Sequence, residues 1–182
     1  DGETHHGLFD VAMLTTVPGV TVYSPSDTAE LSQCLEQALY KDKGVVAVRY
    51  PRGCELYRSG TKAYSDFRHV SNKSRKLIFT YGRISAYAYT IHGVDVLQAI
   101  KIFPIADEII NICLAYDEIY AFEEGEREGG IAQKLCTALA LAGFKGRFTI
   151  TAVDGFVRHA DVATQLHNAM LDADGMRKIT GE

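Results

Sequence analysis

Runs of apolar and β-branched residues, each of strand length, alternate with helical patterns along most of this chain. The run VVAVRY (45–50) is nearly continuous in apolar residues, which is typical of a strand covered on both faces. The segments KLIFTYG (76–82) and RFTITAV (147–153) are also predicted to be strands. Segment 27–42, between two predicted strands, carries apolar residues at steps of three and four, the period of an amphipathic helix. With its short connections, this alternation predicts an α/β fold with a largely parallel sheet and helices on both faces.

The same periodicities indicate where the elements lie. We expect strands at 20–24, 45–50, 76–82, 94–102, 117–125 and 147–153, helices at 8–17, 27–42, 83–93, 105–116 and 129–144, and a terminal helix and turn at 160–176. Mixed polar residues between 54 and 75 predict a linker with one short strand near 64–70. The chain therefore divides into part of a parallel-sheet domain (1–57), a linker (58–75) and a small three-layer α/β/α domain (76–182).

Composition and net charge indicate the class of protein and argue against some kinds of partner. Of its 182 residues, 47% are hydrophobic and 23% are charged, as in a globular protein that buries a core. The net charge of -4 and the pI near 5.9 argue against nucleic acid as a partner. No apolar run reaches the roughly 18 residues of a membrane span. Four widely spaced cysteines without a CxxC pair predict reduced thiols and a cytoplasmic protein.

Chemically capable side chains gather in two segments of the first part. The opening DGETHHGLFD (1–10) holds Asp1 and His5, and RYPRG (49–53), at the end of a predicted strand, holds Arg52. Ligands of parallel sheets bind at the carboxyl ends of strands. There the guanidinium of Arg52 is suited to a phosphate or carboxylate, His5 to proton transfer, and Asp1 to accepting a hydrogen bond from a sugar hydroxyl.

Simpler interpretations of the same residues stay open. A histidine in a glycine-flanked loop also serves as a capping or solvated residue, and an arginine such as Arg52 is often a surface charge or an ion-pair partner. His6 is expected to be structural. No zinc-type spacing such as HExxH joins Asp1, His5 and His6, so no metal site is predicted.

Two polar segments of the second part carry weaker indications of a functional role. The run FEEGEREGG (122–130) precedes a predicted helix, where the helix dipole favours acidic groups, so capping is its expected role. The loop VDGFVRHA (153–160) offers Phe156 as a buried aromatic residue, and Arg158 and His159 as interface or solvated groups.

Taken in chain order, the motifs resemble one known family. The segments DG-x-THHG-x-FD, PSD, AVRYPRG, IFTYG, YAFEEGEREGG, VDGFVRH and LDADGM are similar to segments of the 1-deoxy-D-xylulose-5-phosphate synthases, thiamine-diphosphate enzymes of the transketolase superfamily. The resemblance implies that 1–57 are the C-terminal part of the pyrimidine-binding domain and that 76–182 are the transketolase C-terminal domain. It implies further that the chain is a C-terminal fragment, in keeping with the few strands of its first part.

The resemblance also implies a reaction and roles for three residues. The family condenses pyruvate with glyceraldehyde 3-phosphate, with loss of CO2, for isoprenoid and thiamine synthesis. Asp1 and His5 match the family's active-site Asp and first His, and Arg52 matches the Arg that binds the acceptor phosphate. The full-length parent is expected to be a homodimer that uses thiamine diphosphate and Mg²⁺. The fragment is expected to bind no cofactor and to be inactive, because the diphosphate domain and the activating Glu lie upstream.

Departures from the family pattern keep alternatives open. The segment AIKIFPI lacks the family's Arg, and Ala160 stands where the family has Gly. The alternatives within the superfamily are a transketolase and the β-subunit of a 2-oxo acid dehydrogenase. A third alternative is a module without catalysis that uses 76–182 for dimerisation or binding.

Overall fold

The computed structural model describes residue 3 and residues 5–56 and 63–182. The helices are α1 (Asp10–Leu14), α2 (Thr28–Tyr40), α3 (Ser85–Ala88), α4 (Asp107–Cys113), α5 (Ile131–Leu141), α6 (Val162–Asn168) and α7 (Ala173–Thr180). The strands are β1 (Thr21–Tyr23), β2 (Val46–Val48), β3 (Phe67–Val70), β4 (Lys76–Tyr81), β5 (Asp95–Ala99), β6 (Lys101–Phe103), β7 (Glu118–Glu126) and β8 (Arg147–Val153). Within the described residues, no helix has the length and apolar character that a membrane crossing requires.

The larger sheet contains five strands in the order β3-β5-β4-β7-β8. Neighbouring strands are parallel except β3, which runs antiparallel to β5. Along β4, Leu77 and Phe79 face one apolar cluster and Ile78 faces another, because side chains alternate across a strand. Helices α4 and α5 cover the first face, and α3, α6 and α7 cover the second. The predicted three-layer α/β/α arrangement is therefore confirmed.

Strand β3 lies within the segment predicted to be a linker. Its residues Phe67–Val70 pair with residues 96–99 of β5, at the place where one short strand was expected. Residues 57–62 of the same segment lie outside the described residues. The domain boundaries after 57 and before 76 stay predictions, and the structure adds that β3 belongs to the sheet of the second part.

The smaller sheet has three strands in the order β2-β1-β6. Strands β1 and β2 are parallel neighbours from the first part, whereas β6 comes from the second part and pairs antiparallel with β1. The prediction of one continuous strand at 94–102 was wrong, because the chain leaves the larger sheet at Ile100. The amides of Ile100 and Lys101 both donate to the carbonyl of Asp66, at 2.8 and 2.9 Å. This shared acceptor ends the regular pairing of β5, and β6 continues in the other sheet.

Apolar side chains of both sheets meet in one core. Val20 and Val22, at the start of and within β1, belong to the same buried cluster as Leu77 and Phe79 of β4. All four are at most 2% exposed. Burying a side chain of this kind stabilises a fold by roughly 1.5–3 kcal/mol, so the shared cluster links the two sheets energetically. We therefore expect them to fold as one unit.

The segment 160–176, predicted to be a terminal helix and turn, contains helix α6 and the start of a second helix, α7. Helix α6 ends before Met170, whose φ of 58° lies in the left-handed region. Asp172 then accepts a hydrogen bond from the amide of Gly175 at 2.8 Å, which starts α7 with a side-chain cap. The break allows Leu166 of α6 and Met176 of α7 to pack in the same apolar cluster on one face of the larger sheet.

The strand order creates a crevice at the carboxyl ends of β4 and β7. The chain passes from β4 to β5 on one side and later enters β7 on the other side of β4. This arrangement is a topological switch point, the place where open α/β sheets bind ligands. Residues that follow β1 and β2 face the same crevice, so the fold brings the strand ends of both sheets together.

Candidate functional site

A cavity of about 320 Å³ lies where the strand ends of the two sheets meet. Its wall includes Ser24 and Arg49, which directly follow β1 and β2, together with Gly82 after β4 and Glu124 near the end of β7. A volume of this size falls at the lower end of the range for small-molecule sites. The cavity therefore occupies the position at which parallel-sheet geometry predicts a ligand.

His5 and Arg52 line this cavity together. Both residues are exposed, so a ligand in the cavity can reach either side chain. Gly53, with a φ of 103°, turns the chain directly after Arg52 in a conformation that favours glycine. Asp1 lies outside the described residues, so its predicted role in the site stays a prediction. The structure brings together the two predicted site residues that it describes, and their roles stay predictions.

Arg49, three residues before Arg52, was not singled out from the sequence. Its side chain is only 16% exposed. The guanidinium donates to Oδ2 of Asp10 at 2.9 Å, to the carbonyl of Gly7 at 2.8 Å and to the carbonyl of Glu124 at 2.7 Å. One shielded cation therefore joins the opening loop, the start of α1 and strand β7. The sequence did contain a signal for this role: Arg49 is a charged residue at the end of an apolar strand, and a charge that is buried there needs hydrogen-bond partners.

Glu124 forms a second charged contact at the cavity wall. Its carboxylate accepts from Nε of Arg83 at 2.9 Å and also from Nη2 of the same guanidinium. The two side chains are only 15% and 13% exposed. Nη1 of Arg83 donates in addition to the carbonyl of Arg52 at 3.5 Å. The capping role expected for the acidic run therefore does not describe Glu124.

The neighbouring Glu123 does have the expected capping role. Adjacent strand residues point to opposite faces, and the carboxylate of Glu123 accepts from the amides of Ile131 and Ala132 at 2.8 Å each and from the hydroxyl of Tyr81 at 2.6 Å. Burial raises the pKa of Glu123 above its ordinary value. A Cβ at Gly130 would lie 2.7 Å from both carboxylate oxygens, so this close approach requires glycine. Glu123 therefore fixes the start of α5.

His6 lies between two aromatic rings at the edge of the cavity. Its ring centroid is 6.2 Å from that of Phe9 and 5.9 Å from that of Phe156. Both ring nitrogens are shielded from solvent and lack a hydrogen-bond partner among the described residues. This packing fits the structural role expected of His6. The prediction that Phe156 is buried was wrong, because the residue is 66% exposed and reaches across the surface to Phe9.

The acidic groups of the cavity wall do not fit a metal–diphosphate site. Asp10 and Glu124 are each paired with a guanidinium. Within residues 5–56 and 63–182, no group of three or more His, Cys, Asp or Glu side chains is placed to hold an ion. The described residues are instead suited to a substrate anion, since Arg52 presents an exposed cation to the cavity.

Comparisons with known proteins agree with the motifs. Residues 1–55 match the family described as the transketolase pyrimidine-binding domain. The 1-deoxy-D-xylulose-5-phosphate synthase of Thermus thermophilus is 31% identical over 98% of this chain and 30% of its own length. The enzyme of the same name from Chlorobium phaeovibrioides is 32% identical over 95% of this chain and 30% of its own length. The chain resembles 1-deoxy-D-xylulose-5-phosphate synthases. It spans about 30% of the length of these synthases.

A solved structure shows the same fold. A chain described as a split-gene transketolase, from an inactive beta4 tetramer, matches with a TM-score of 0.82 and 18% identity, over 96% of this chain and 61% of that chain. At this identity the likeness establishes the fold alone. The resemblance to the synthases and the transketolase-type α/β fold, both predicted from the motifs, are therefore confirmed.

Proposed function

We propose that this chain supplies the acceptor-binding and proton-transfer side of a 1-deoxy-D-xylulose-5-phosphate synthase. The proposed reaction joins pyruvate to glyceraldehyde 3-phosphate with loss of CO2 and depends on thiamine diphosphate. The observation that carries the proposal is that His5 and Arg52 line one cavity at the strand ends, in a chain that is about 30% identical to these synthases along almost its whole length.

The chemistry assigned to the chain uses its own side chains. Arg52 follows Pro51, which restricts the backbone, and its planar guanidinium is suited to grip the acceptor phosphate through two parallel hydrogen bonds. The aldehyde oxygen of the acceptor gains negative charge as the new carbon–carbon bond forms, and His5 is the proton donor we assign to it. Asp1 is proposed to accept a hydrogen bond from a sugar hydroxyl. We assign the phosphate to Arg52 because it is exposed at the cavity, whereas the side chains of Arg49 and Arg83 are largely buried.

The remaining parts of the reaction are assigned to other regions of the synthase. Thiamine diphosphate and Mg²⁺ would be held outside the residues described here, and the assembled enzyme is proposed to be a homodimer. The 182-residue chain alone is expected to show no turnover. A transketolase reaction is the weaker candidate, since the transketolase match is 18% identical whereas the synthases reach 31–32%.

The test compares two acceptors in the synthase assembled from this chain and its remaining regions. In Arg52→Ala we expect kcat/KM for D-glyceraldehyde 3-phosphate to fall about 100-fold, because a charge-assisted contact is lost. Use of D-glyceraldehyde, which carries no phosphate, should change less than about threefold. In His5→Gln we expect kcat to fall about 100-fold for both acceptors.

Arg158→Ala is the matched control, because Arg158 is exposed and is not assigned to the site. It should leave both acceptors unaffected. Unchanged phosphate preference in Arg52→Ala would remove Arg52 from the phosphate site. Ketose transfer without pyruvate consumption would replace the proposed reaction by that of a transketolase.

A further inference from the structure

Charged side chains connect the two parts of the molecule at the cavity, and each part contributes an arginine that donates a hydrogen bond to a backbone carbonyl of the other. Arg49, which follows β2, donates to the carbonyl of Glu124 in β7 at 2.7 Å. Arg83, which follows β4, donates to the carbonyl of Arg52 at 3.5 Å. Glu124 is common to both contacts, because its carbonyl accepts from Arg49 while its carboxylate pairs with Arg83. We call Arg49, Glu124 and Arg83 the clasp.

The clasp reaches both predicted site residues through their backbone. Arg49 holds the carbonyl of Gly7, two residues after His5, at 2.8 Å. Arg83 holds the carbonyl of Arg52 itself. The loop of His5 and the loop of Arg52 are therefore attached to the same strand, β7, by one connected set of hydrogen bonds.

The environment makes these contacts effective positioning elements. The side chains of the clasp are 13–16% exposed. The bonds of its two arginines to Asp10 and Glu124 are partly buried, where charge-assisted hydrogen bonds are stronger. Three of the five N–H groups of Arg49 are used in bonds to protein oxygens. The side chain of Arg49 therefore holds the cavity wall in place.

We propose that the clasp positions His5 and Arg52 against each other and thereby sets the preference for a phosphorylated acceptor, although none of its three residues contacts the phosphate. The inference rests on the proposed function. A displacement of about 1 Å at a reacting group can cost up to about 100-fold in rate. Loosening the clasp should therefore act on acceptor recognition more than on the rest of the reaction.

The kinetic test uses the assembled synthase and the ratio of kcat/KM for D-glyceraldehyde 3-phosphate to that for D-glyceraldehyde. Arg83→Met should lower this ratio about tenfold, and Arg83→Lys should restore part of it, about threefold below the parent. Arg49→Lys, which acts on the loop of His5 through the carbonyl of Gly7, should instead lower kcat for both acceptors, as His5→Gln does. Arg127→Met is the control, because Arg127 is paired with Asp154 in the same part of the chain but is no member of the clasp. If Arg83 contributed to stability alone, Arg83→Met would change both acceptors equally and leave the ratio intact, which would overturn the proposal.

Hydrogen–deuterium exchange separates failure of the clasp from failure of the proposed function. In Arg83→Met, peptides that cover 5–10 and 49–53 should exchange about tenfold faster, while the inner strand β5 at 95–99 keeps its protection. If Arg52→Ala leaves phosphate preference unchanged, the proposed function fails and the exchange result alone decides whether the clasp positions these loops. Unchanged exchange in both loops overturns the clasp whatever the reaction is.

Discussion

The two sheets of this molecule differ in the origin of their strands. The larger sheet takes all five strands from residues 67–153 and is covered by helices on both faces. The smaller sheet has two strands of three residues from the first part and takes β6 from the second. The two strands of the first part would be marginally stable at best without β6. The strand end that leads to Arg52 therefore depends on contacts distant in sequence, and the site is a property of the junction between the parts.

Two buried carboxylates show the same difference on the scale of side chains. Glu30 of α2 accepts from Ser26 in its own part, and from Arg68 of β3 and Gln98 of β5 in the larger sheet, at 2.7–2.9 Å. The carboxylate of Asp95 instead bonds to groups of the second part, which are Ser71, Asn72, Ser74 and Tyr116. Glu30 connects the parts, whereas Asp95 folds a loop within one of them.

The largest effect is expected at the connecting carboxylate. Glu30→Ala should lower the free energy of unfolding by about 3 kcal/mol, because it leaves the guanidinium of Arg68 and the amide of Gln98 without their acceptor in a largely buried position. Urea denaturation measures this change. Glu36→Ala, at an exposed position of the same helix, should stay within about 0.5 kcal/mol of the parent. A loss below about 1 kcal/mol for Glu30→Ala would mean that apolar contacts alone hold the parts together.

A smaller effect is expected at the carboxylate that acts within one part. Asp95→Asn keeps one acceptor oxygen but loses the charge that four donors share, so we expect a loss of about 2 kcal/mol at pH 7. Urea denaturation again gives the value. In hydrogen–deuterium exchange of Asp95→Asn, faster exchange should be confined to residues 71–74, while the amides of the smaller sheet keep their protection.

The lowered pKa of Asp95 predicts how the stability difference between the parent and Asp95→Asn changes with pH. Burial acts to raise the pKa of Asp95, but the hydrogen bonds from Tyr116 and from residues 71–74 outweigh it and hold the pKa below its ordinary value of 3.8. A group whose pKa is lowered by folding contributes stability that is present above 3.8 and is lost as the pH falls through the folded-state pKa. The gap between parent and Asp95→Asn should therefore narrow below pH 3.8. An equal gap at pH 7 and pH 3 would contradict this assignment.

Sequence reasoning was accurate where local pattern determines structure. The segment 147–153 is β8 residue for residue, and 76–82 exceeds β4 by one position, because both segments are rich in the β-branched and aromatic residues that favour strands. It failed at 94–102, since β5 and β6 form one apolar run and nothing local signals a change of sheet at Ile100. Pairing across sheets depends on contacts far away in the chain, which periodicity does not encode.

The candidate site divides in the same way. Arg52 was singled out in a short motif at a predicted strand end and His5 in the polar opening loop, and the structure places both on one cavity. The members of the clasp were missed. Glu124 looks like any residue of an acidic run, and only the strand register, which turns Glu123 to one face and Glu124 to the other, separates their partners.

The smallest expected effect concerns β6, the strand that passes between the parts. Ile102 is 1% exposed and belongs to the core cluster that both sheets share, so Ile102→Val should cost about 1 kcal/mol. Ile119→Val in β7, which is 0% exposed in the same cluster, is the matched control and should cost as much. If the sheets fold as one unit, both variants lower the protection of the slowest-exchanging amides equally, in β1 as in β4. A loss of protection confined to β1 and β2 in Ile102→Val would show that the smaller sheet opens separately. The stability of the site would then be limited by the smaller, less stable sheet.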